Sequence, residues 1–434
     1  MTTLLNYLDN IWKISNKPFL INQNKEFFFN QLDDTNIDLS SIKKGDVVAI
    51  IGDFDSLSIK TLLRLCDYNV VIVPLTQETI SQHQLYFDIA KVDIVIKNRE
   101  ISRINSTQQN HPILDNIRKN NGSAIIFFSS GTTGVPKAIV HDLKLFLKRY
   151  YTPRPALKTL SFLLFDHIGG INTLFHTLFN KGTVVSSNSR KVEDIIQLCK
   201  THLIEVLPTT PTFLRMLLMS GFLNGEFPKT LKIITYGTEI MDQLTLEEIS
   251  KKLPWVDFRQ TYGMSELGIL RVKSKARNSL FMAIGGEDIE TKINNQKTLL
   301  IKSSNKMLGY LNHESPFDEN GWYNTKDIVE IDDDKFIKIV GRVTDLINVG
   351  GLKFMPIEVE NIALKYPNIK NVKVYSRKNP ITGEHVEIII ETQNNCIIDK
   401  NNFLKYLSQY LAQHMLPKKI IFDKVNINHR FKKT

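Results

Sequence analysis

The stretch Phe127–Asp142 reads FFSSGTTGVPKAIVHD and joins two short apolar runs through hydroxyl residues, glycines and one lysine. The apolar runs, at 124–128 and 138–141, are typical of buried strands. A loop between two strands can hold an anion where its backbone amides, hydroxyls and lysine converge. The loop of the common nucleotide hydrolases is excluded, because Pro136 and Ala138 stand where its glycine and its hydroxyl residue belong. The stretch therefore predicts a phosphate-binding loop.

This loop resembles the phosphate loop of the adenylate-forming superfamily, which includes acyl- and aryl-CoA synthetases, luciferases and the adenylation domains of peptide synthetases. The match covers the nine residues from Ser129 to Lys137. The resemblance implies that Thr132 and Lys137 act in catalysis. It implies ATP-phosphate binding by Ser129, Ser130, Gly131, Thr133 and Gly134.

Composition limits the protein classes that fit. The chain has 434 residues, 42% hydrophobic and 23% charged, which is typical of a soluble globular protein with more than one domain. We predict a cytoplasmic protein, because neither a leader nor a run long enough to span a membrane is evident. Cys66, Cys199 and Cys396 have no paired spacing and are predicted to be free thiols. The formal charge of +10 comes from scattered lysines, which does not favour a nucleic-acid partner.

The order of apolar runs predicts the fold class. Strand and helix patterns alternate from about residue 44 to 237, which indicates an α/β fold with a large N-terminal domain of βαβ-built sheets. Beyond about residue 280, short strand-and-turn segments predict a β-rich subdomain. A small α+β domain follows, with helices expected at 356–366 and 399–415. We predict a large domain at 1–341 and a small mobile domain at 342–434, with a hinge at about 342–345.

Further segments resemble nucleotide-binding segments of the same superfamily, in the same order. QTYGMSE (260–266) resembles the segment that stacks adenine, contacts the α-phosphate and holds magnesium, which implies roles for Tyr262, Gly263 and Ser265, with Glu266 as metal ligand and catalytic residue. The loop at 236–241 fits the one that packs under adenine and supplies Gly237, Thr238 and Glu239. Asp327 and Arg342 fall where the family binds the ribose hydroxyls.

The resemblance also implies an acyl pocket and a thiol channel. The segment at 163–185 looks like the one that forms the acyl pocket, with His167 at a gating position and Gly170 beside it. Asp166 could instead receive the amine of an amino-acid substrate, as in amino-acid adenylation domains. Of these two interpretations, the alignment of His167 with the gating histidine is favoured. Gly350 and Gly351 fall in the segment that lines the pantetheine channel.

The chain departs from the family pattern at three places. A mobile adenylation lysine is expected near the C-terminus after a glycine; counting assigns it to Lys432, but Phe431 replaces the glycine and Lys433 is a competitor. Lys326 stands where a glycine usually precedes the ribose aspartate, and Thr344 stands at the hinge where Asp or Lys is common. The departures at Lys326 and Thr344 concern domain rotation and remove no chemical group from the reaction.

Together these features predict a carboxylate-activating ligase. ATP and Mg²⁺ would convert a small carboxylic acid into an acyl-adenylate, and a thiol of coenzyme A or of a carrier protein's phosphopantetheine would then accept the acyl group. Two alternatives stay open. One is amino-acid adenylation with carrier-protein loading, and the other is a non-catalytic module that binds a nucleotide or an acyl-adenylate.

Overall fold

A computed structural model describes residues 3–31, 37–129, 135–224, 227–286, 288–393 and 396–426. Within these ranges the strands are β1 Leu20–Asn22, β2 Lys25–Phe27, β3 Val47–Ile51, β4 Val71–Leu75, β5 Ile94–Lys97, β6 Glu100–Arg103, β7 Ala124–Ser129, β8 Lys137–Asp142, β9 Thr159–Ser161, β10 Val184–Ser186, β11 Val206–Thr209, β12 Ile233–Tyr236, β13 Asp257–Gln260, β14 Gly263–Met264, β15 Gly268–Ile269, β16 Val272–Ser274, β17 Met282–Ile284, β18 Ile289–Ile293, β19 Thr298–Ser303, β20 Gly309–Tyr310, β21 Tyr323–Ile331, β22 Ile337–Arg342, β23 Ile347–Val349, β24 Leu352–Phe354, β25 Ile369–Asn379, β26 Gly383–Thr392 and β27 Lys419–Phe422.

The helices in the same ranges are α1 Leu4–Trp12, α2 Ser56–Leu65, α3 His83–Ala90, α4 Pro112–Lys119, α5 Leu143–Lys148, α6 Ile168–Phe179, α7 Val192–Thr201, α8 Pro211–Met219, α9 Gln243–Lys252, α10 Pro356–Ala363 and α11 Lys400–Ser408. Side chains that accept from the first-turn amides begin several of them, as Asp55 does for α2 and Thr210 for α8. In the described part of the chain, no helix has the length and apolar character needed to cross a membrane.

Two large sheets form the N-terminal part of the molecule. Over the described residues the first sheet has the strand order β20-β8-β7-β4-β3-β5-β6, and the second has the order β13-β12-β11-β9-β10-β1-β2. Strands β7, β4, β3 and β5 are parallel, as are β1 and β9 to β13. This confirms the predicted βαβ organisation, since helices α2 and α6 supply apolar residues to a core that both sheets share.

The β-rich portion and the C-terminal part each have a core of their own. Strands β16, β17, β22, β21, β19 and β18 form an antiparallel sheet around Met282, Leu299 and Ile301. Strands β23 to β27 pack with α10 and α11 around Val359 and Phe403. The mixed α/β class is therefore confirmed. Strand β22 ends at Arg342, where the sequence places the hinge, and the mobility of the part that follows stays a prediction.

The helix expected at 399–415 is shorter than predicted. Helix α11 ends at Ser408, and a separate 3-10 turn covers 413–415. Because the chain leaves the helical path after Ser408, Leu411 and Met415 pack against the C-terminal core. The helical spacing of the sequence does not predict this packing. All three cysteines are free; Cys66 and Cys199 are buried, and Cys396 is half-buried.

Candidate active site

The two ends of the phosphate loop lie side by side. Ser129 ends β7 and pairs with Lys137, the first residue of the antiparallel strand β8. The side chain of Asn312 bonds the backbone where the loop ends. Its amide donates to the Pro136 carbonyl at 2.8 Å, and its carbonyl accepts from the Ala138 amide at 3.1 Å. Ser130, Gly131, Thr132, Thr133 and Gly134 lie outside the described residues, so their roles stay predictions.

Tyr310 brings the predicted lysine and the predicted metal ligand together. Its strand, β20, pairs with β8 through Tyr310 and Ile139. The Lys137 ammonium lies 5.1 Å from the centroid of the Tyr310 ring, and the Tyr310 hydroxyl donates to Glu266 Oε1 at 2.6 Å. Burial and the Glu266 carboxylate both raise the pKa of Tyr310, so it stays a neutral donor. The carboxylate is thus held on the same side of the sheet as the lysine.

The turn that carries Glu266 is fixed through its backbone. Gly263 and Met264 form β14, which pairs with β15 in a short hairpin. The Ser265 carbonyl accepts from His141 Nε2 at 2.6 Å, and the Glu266 carbonyl accepts from the Met307 amide at 2.8 Å. His141 lies on β8, the strand that begins with Lys137. Contacts across long sequence separations therefore position this turn.

The two predicted ribose ligands contact each other. Asp327 and Arg342 are paired across β21 and β22, and Asp327 is buried. One Asp327 oxygen accepts from Arg342 Nε at 2.7 Å, and the other accepts from the Tyr262 hydroxyl at 2.5 Å. Burial and then the Asp327 carboxylate raise the pKa of Tyr262. Each carboxylate oxygen can accept a further hydrogen bond, so Asp327 keeps acceptor capacity beside these two donors.

Lys326 has the backbone conformation that explains a glycine in the family pattern. Its φ is 60°, in the left-handed region, and its side chain is exposed. An L-residue there carries roughly 1–2 kcal/mol of strain, partly offset because glycine loses more freedom on folding. The sequence shows that Lys326 replaces the glycine of the family pattern, and the structure shows that this lysine adopts a left-handed backbone conformation.

We expect Lys326→Gly to stabilise the protein by about 0.5–1 kcal/mol, because glycine adopts this φ without strain. Chemical denaturation should show a higher midpoint. Lys273→Gly is the matched control, since Lys273 is an exposed strand lysine that is not among the positive-φ residues, and it should lower the midpoint. A lower midpoint for Lys326→Gly would contradict the strain argument.

The loop predicted to pack under adenine follows β12. Gly237 is buried, and Thr238 is exposed with a φ of 70°. Glu239 reaches the first turn of α8, where its Oε2 accepts from the Thr212 hydroxyl at 2.7 Å and from the Thr212 amide at 3.2 Å. The carboxylate therefore ties this loop to α8, and its contact with a nucleotide stays a prediction.

The acyl-pocket candidates lie at the start of α6. His167 caps the helix, and its Nδ1 accepts from the Gly169 amide at 3.0 Å, which leaves Nε2 as the protonated nitrogen of the neutral ring. Asp166 is buried, whereas His167 is half-buried. A side chain at Gly170 would place its Cβ 1.9 Å from the Leu164 carbonyl oxygen, so only glycine fits there. The place of His167 in an acyl pocket stays a prediction.

The thiol-channel candidates form the turn between β23 and β24. Gly350 and Gly351 are exposed with φ of 61° and 89°, which L-residues rarely adopt. The Gly350 amide donates to the Thr382 carbonyl at 2.8 Å.

Lys432 and Lys433 lie outside the described residues. At the hinge, the Thr344 hydroxyl donates to Asp345 at 3.1 Å.

The donor set fits magnesium bound together with a nucleotide. In the part of the chain that the structure describes, no three His, Cys, Asp or Glu side chains are grouped so as to hold a metal ion by themselves. Mg²⁺ is commonly held by one or two carboxylates together with substrate phosphates. Glu266 beside the phosphate loop meets that requirement as the protein's carboxylate.

Sequence reasoning missed three residues that organise this site. Tyr310 and Asn312 precede Asp327 in a segment for which only that aspartate has a predicted role, and His141 falls in a run that predicts a strand. The sequence signal for His141 is its spacing of four from Lys137, which puts both residues on one face of β8. Tyr310 and Asn312 carry no such signal, because their partners lie more than 40 residues away.

The chain is similar in sequence to proteins named as CoA ligases. Over 315 residues the chain is 29% identical to 2-succinylbenzoate–CoA ligase of Staphylococcus epidermidis strain ATCC 12228, covering 68% of this chain and 65% of that protein. It is 24% identical over 335 residues to 4-coumarate–CoA ligase-like 6 of Arabidopsis thaliana, covering 70% and 59%. The match thus spans less than two thirds of the relatives' length.

Solved structures share the fold over nearly the whole chain. The anthranilate CoA ligase AuaEII in complex with anthranoyl-AMP superposes with a TM-score of 0.82 at 14% identity, covering 99% of this chain and 95% of that one. The o-succinylbenzoate CoA synthetase of Bacillus subtilis, in complex with its acyl-adenylate intermediate, gives 0.77 at 19%, covering 99% and 96%. These structures therefore share the mixed α/β fold with two large sheets that this chain has. Residues 43–311 match the family described as AMP-binding enzyme, more than half of the chain, and the protein belongs to that family.

Proposed function

We propose that the protein is an AMP-forming acid–thiol ligase that activates a small carboxylic acid with ATP and transfers the acyl group to a thiol. The observation that carries this proposal is the grouping of Lys137, Tyr310 and Glu266 beside the phosphate loop. The pair Asp327 and Arg342 supports a nucleoside site on the neighbouring sheet. The relatives described as CoA ligases support the same reaction class.

The chemistry requires fixed positive charge where two anions meet. A carboxylate oxygen of the acid attacks the α-phosphorus of ATP, the bond to the β-phosphate oxygen breaks, and pyrophosphate leaves. Lys137 and the loop amides would stabilise the charge that develops on the phosphoryl oxygens. Mg²⁺, held by Glu266 and the nucleotide phosphates, would supply further positive charge.

The second half of the reaction forms the thioester. The thiol gives up its proton to solvent and its sulfur attacks the acyl carbon of the adenylate; the acyl carbon–oxygen bond breaks, and AMP leaves with that oxygen. Asp327 and Arg342 would hold the ribose through both halves. The small domain would have to move between them, because Lys432 is needed for adenylation and the turn at Gly350 and Gly351 for the thiol.

We infer that coenzyme A is the acceptor and that the acid is aromatic. The relatives are named for CoA and for succinylbenzoate or coumarate, and residues 342–434 hold 15 Lys and Arg against eight Asp and Glu, a surplus that suits a polyanionic acceptor. A carrier-protein phosphopantetheine is the second candidate, because the same surplus suits an acidic protein surface. The cytoplasmic location stays a prediction.

The test is pyrophosphate release with a panel of benzoic, cinnamic, short aliphatic and amino acids, each with coenzyme A or a phosphopantetheinylated carrier. We expect release and an acyl-CoA product with an aromatic acid. An amino acid that is loaded only onto the carrier would favour the adenylation-domain alternative. Tight ATP binding without release for any acid would favour the non-catalytic module.

The C-terminal lysine gives a prediction that separates the half-reactions. If Lys432 enters the site only for adenylation, Lys432→Ala should slow adenylate formation by roughly 100-fold, equivalent to about 2.7 kcal/mol. Thioester formation from a supplied acyl-adenylate should stay nearly normal. Lys433→Ala is the matched control and should have little effect. The split effect in Lys433→Ala alone would move the assignment by one residue, and normal adenylation in both variants would contradict it.

A further inference from the structure

We propose that His141 is a positioning residue for nucleotide and metal binding, acting through the backbone of the turn that carries Glu266. The inference rests on the proposed function, because it assigns Mg²⁺–ATP to the site beside that turn. Its hydrogen-bond partner is the Ser265 carbonyl, one residue before Glu266. Its effect is on where the Glu266 side chain is held relative to Lys137.

The hydrogen bond of His141 defines its direction. The Ser265 carbonyl can only accept, so His141 Nε2 carries the proton, at a distance of 2.6 Å. The imidazole is buried, and its ring centroid lies 6.2 Å from that of Phe127 and 5.9 Å from that of Phe146. These two aromatic neighbours restrict the ring, so the donor is held in a defined place.

Burial keeps this donor neutral. It lowers the pKa of His141 to about 4, opposed by the hydrogen bond to Ser265 and assisted by the nearby Arg149 guanidinium. At neutral pH the ring therefore carries no charge into the apolar surroundings.

The position of His141 links the two halves of the site. Lys137 and His141 are four residues apart on β8, so they lie on one face of the strand, about 13 Å apart along it. The next carbonyl in the turn, that of Glu266, accepts from the Met307 amide at 2.8 Å. The backbone at Ser265 and Glu266 is thus held by His141 of β8 and by Met307, two residues before β20. Removing the His141 donor removes the hydrogen bond from β8 and keeps the one from Met307.

Two amide variants isolate the donor position. The side-chain amide of Gln can reach the position of Nε2, whereas that of Asn ends near the position of Nδ1 and is too short to reach the Ser265 carbonyl. Both side chains are polar and uncharged, so the two variants differ in the reach of the donor and not in charge. His141→Leu removes the donor with an apolar side chain and provides a third comparison.

The control is His83→Leu. His83 is also buried, and its Nε2 lies 2.9 Å from the Thr76 carbonyl, so its bond joins the start of α3 to the residue after β4 and not to the turn that carries Glu266. A general loss of stability caused by removing a buried imidazole should appear in both His83→Leu and His141→Leu. Thermal unfolding of each variant measures that common effect.

The decisive experiment is calorimetric titration of ATP into the full chain, with Mg²⁺ and with EDTA, in the absence of any acid. We expect His141→Asn and His141→Leu to weaken Mg²⁺–ATP binding about tenfold, with a smaller change in EDTA, and to raise the Mg²⁺ concentration for half-saturation. His141→Gln should stay within about twofold of the wild type, as should His83→Leu.

Equal binding by the Asn and Gln variants, or an equal loss in His83→Leu, would overturn the proposal. If His141→Leu does not fold, the Asn and Gln pair decides. The binding assay also separates this inference from the proposed function. A wild type that binds Mg²⁺–ATP but activates no acid would refute the ligase while leaving the role of His141 decided by the variants; a wild type that does not bind Mg²⁺–ATP would refute both.

Discussion

Lys137→Ala is expected to lower the rate of adenylate formation by about 100- to 1000-fold, while ATP binding weakens much less. The reason is that a charge directed at the transferring group acts mainly on the transition state, where the loss corresponds to about 2.7–4 kcal/mol. Single-turnover formation of the adenylate and equilibrium binding of ATP measure the two effects separately. Lys137 is held for this role at the start of β8, over the ring of Tyr310.

Two variants serve as controls for this prediction. Lys144→Ala removes an exposed lysine from the first turn of α5 and should leave the rate unchanged. Lys137→Arg keeps the charge but changes its shape, and it should recover only part of the rate. A Lys137→Ala enzyme that turns over normally and shows only a higher ATP Michaelis constant would contradict the assigned role.

Glu266→Gln is expected to lower both half-reactions, with adenylate formation reduced on the order of 100- to 1000-fold at limiting Mg²⁺. An amide coordinates a hard cation less well than a carboxylate, so the variant should need more Mg²⁺ to reach half-maximal rate. Gln keeps an acceptor for the Tyr310 hydroxyl, so the local fold should persist. Rates measured across a Mg²⁺ series test this directly.

Glu319→Gln is the matched control, because Glu319 is exposed in a loop between β20 and β21. It should show the Mg²⁺ dependence of the wild type. Partial recovery of Glu266→Gln at high Mg²⁺ fits the account, whereas an unchanged Mg²⁺ requirement would remove Glu266 from the metal site.

Local patterns predicted most of the fold. Apolar runs such as 71–75 and 124–128 gave strands because their residues are buried on both faces of a sheet, and the alternation with helices gave parallel strands. Element ends were less predictable, as α11 shows: it stops at Ser408 because the C-terminal core takes up Leu411 and Met415 outside the helical period.

The candidate site residues were predicted from short motifs that resemble those of a known family. Asp327 and Arg342 came from such motifs, and the structure brings them into contact. Tyr310, Asn312 and His141 were not found, since each acts through a partner distant in sequence. The spacing of His141 from Lys137 puts both residues on one face of β8, but the pairing of β20 with β8 and the contact of His141 with the turn that carries Glu266 have no local signal.

The central claim is that an acyl-adenylate forms, and the most direct measurement follows the carboxylate oxygen. With an acid labelled with ¹⁸O in its carboxylate, one labelled oxygen becomes the bridge to the α-phosphorus and stays with AMP when the thiol attacks the acyl carbon. Mass spectrometry of the products after complete turnover should therefore find one ¹⁸O in AMP and none in pyrophosphate. Unlabelled AMP, or ADP with the label in orthophosphate, would contradict the account.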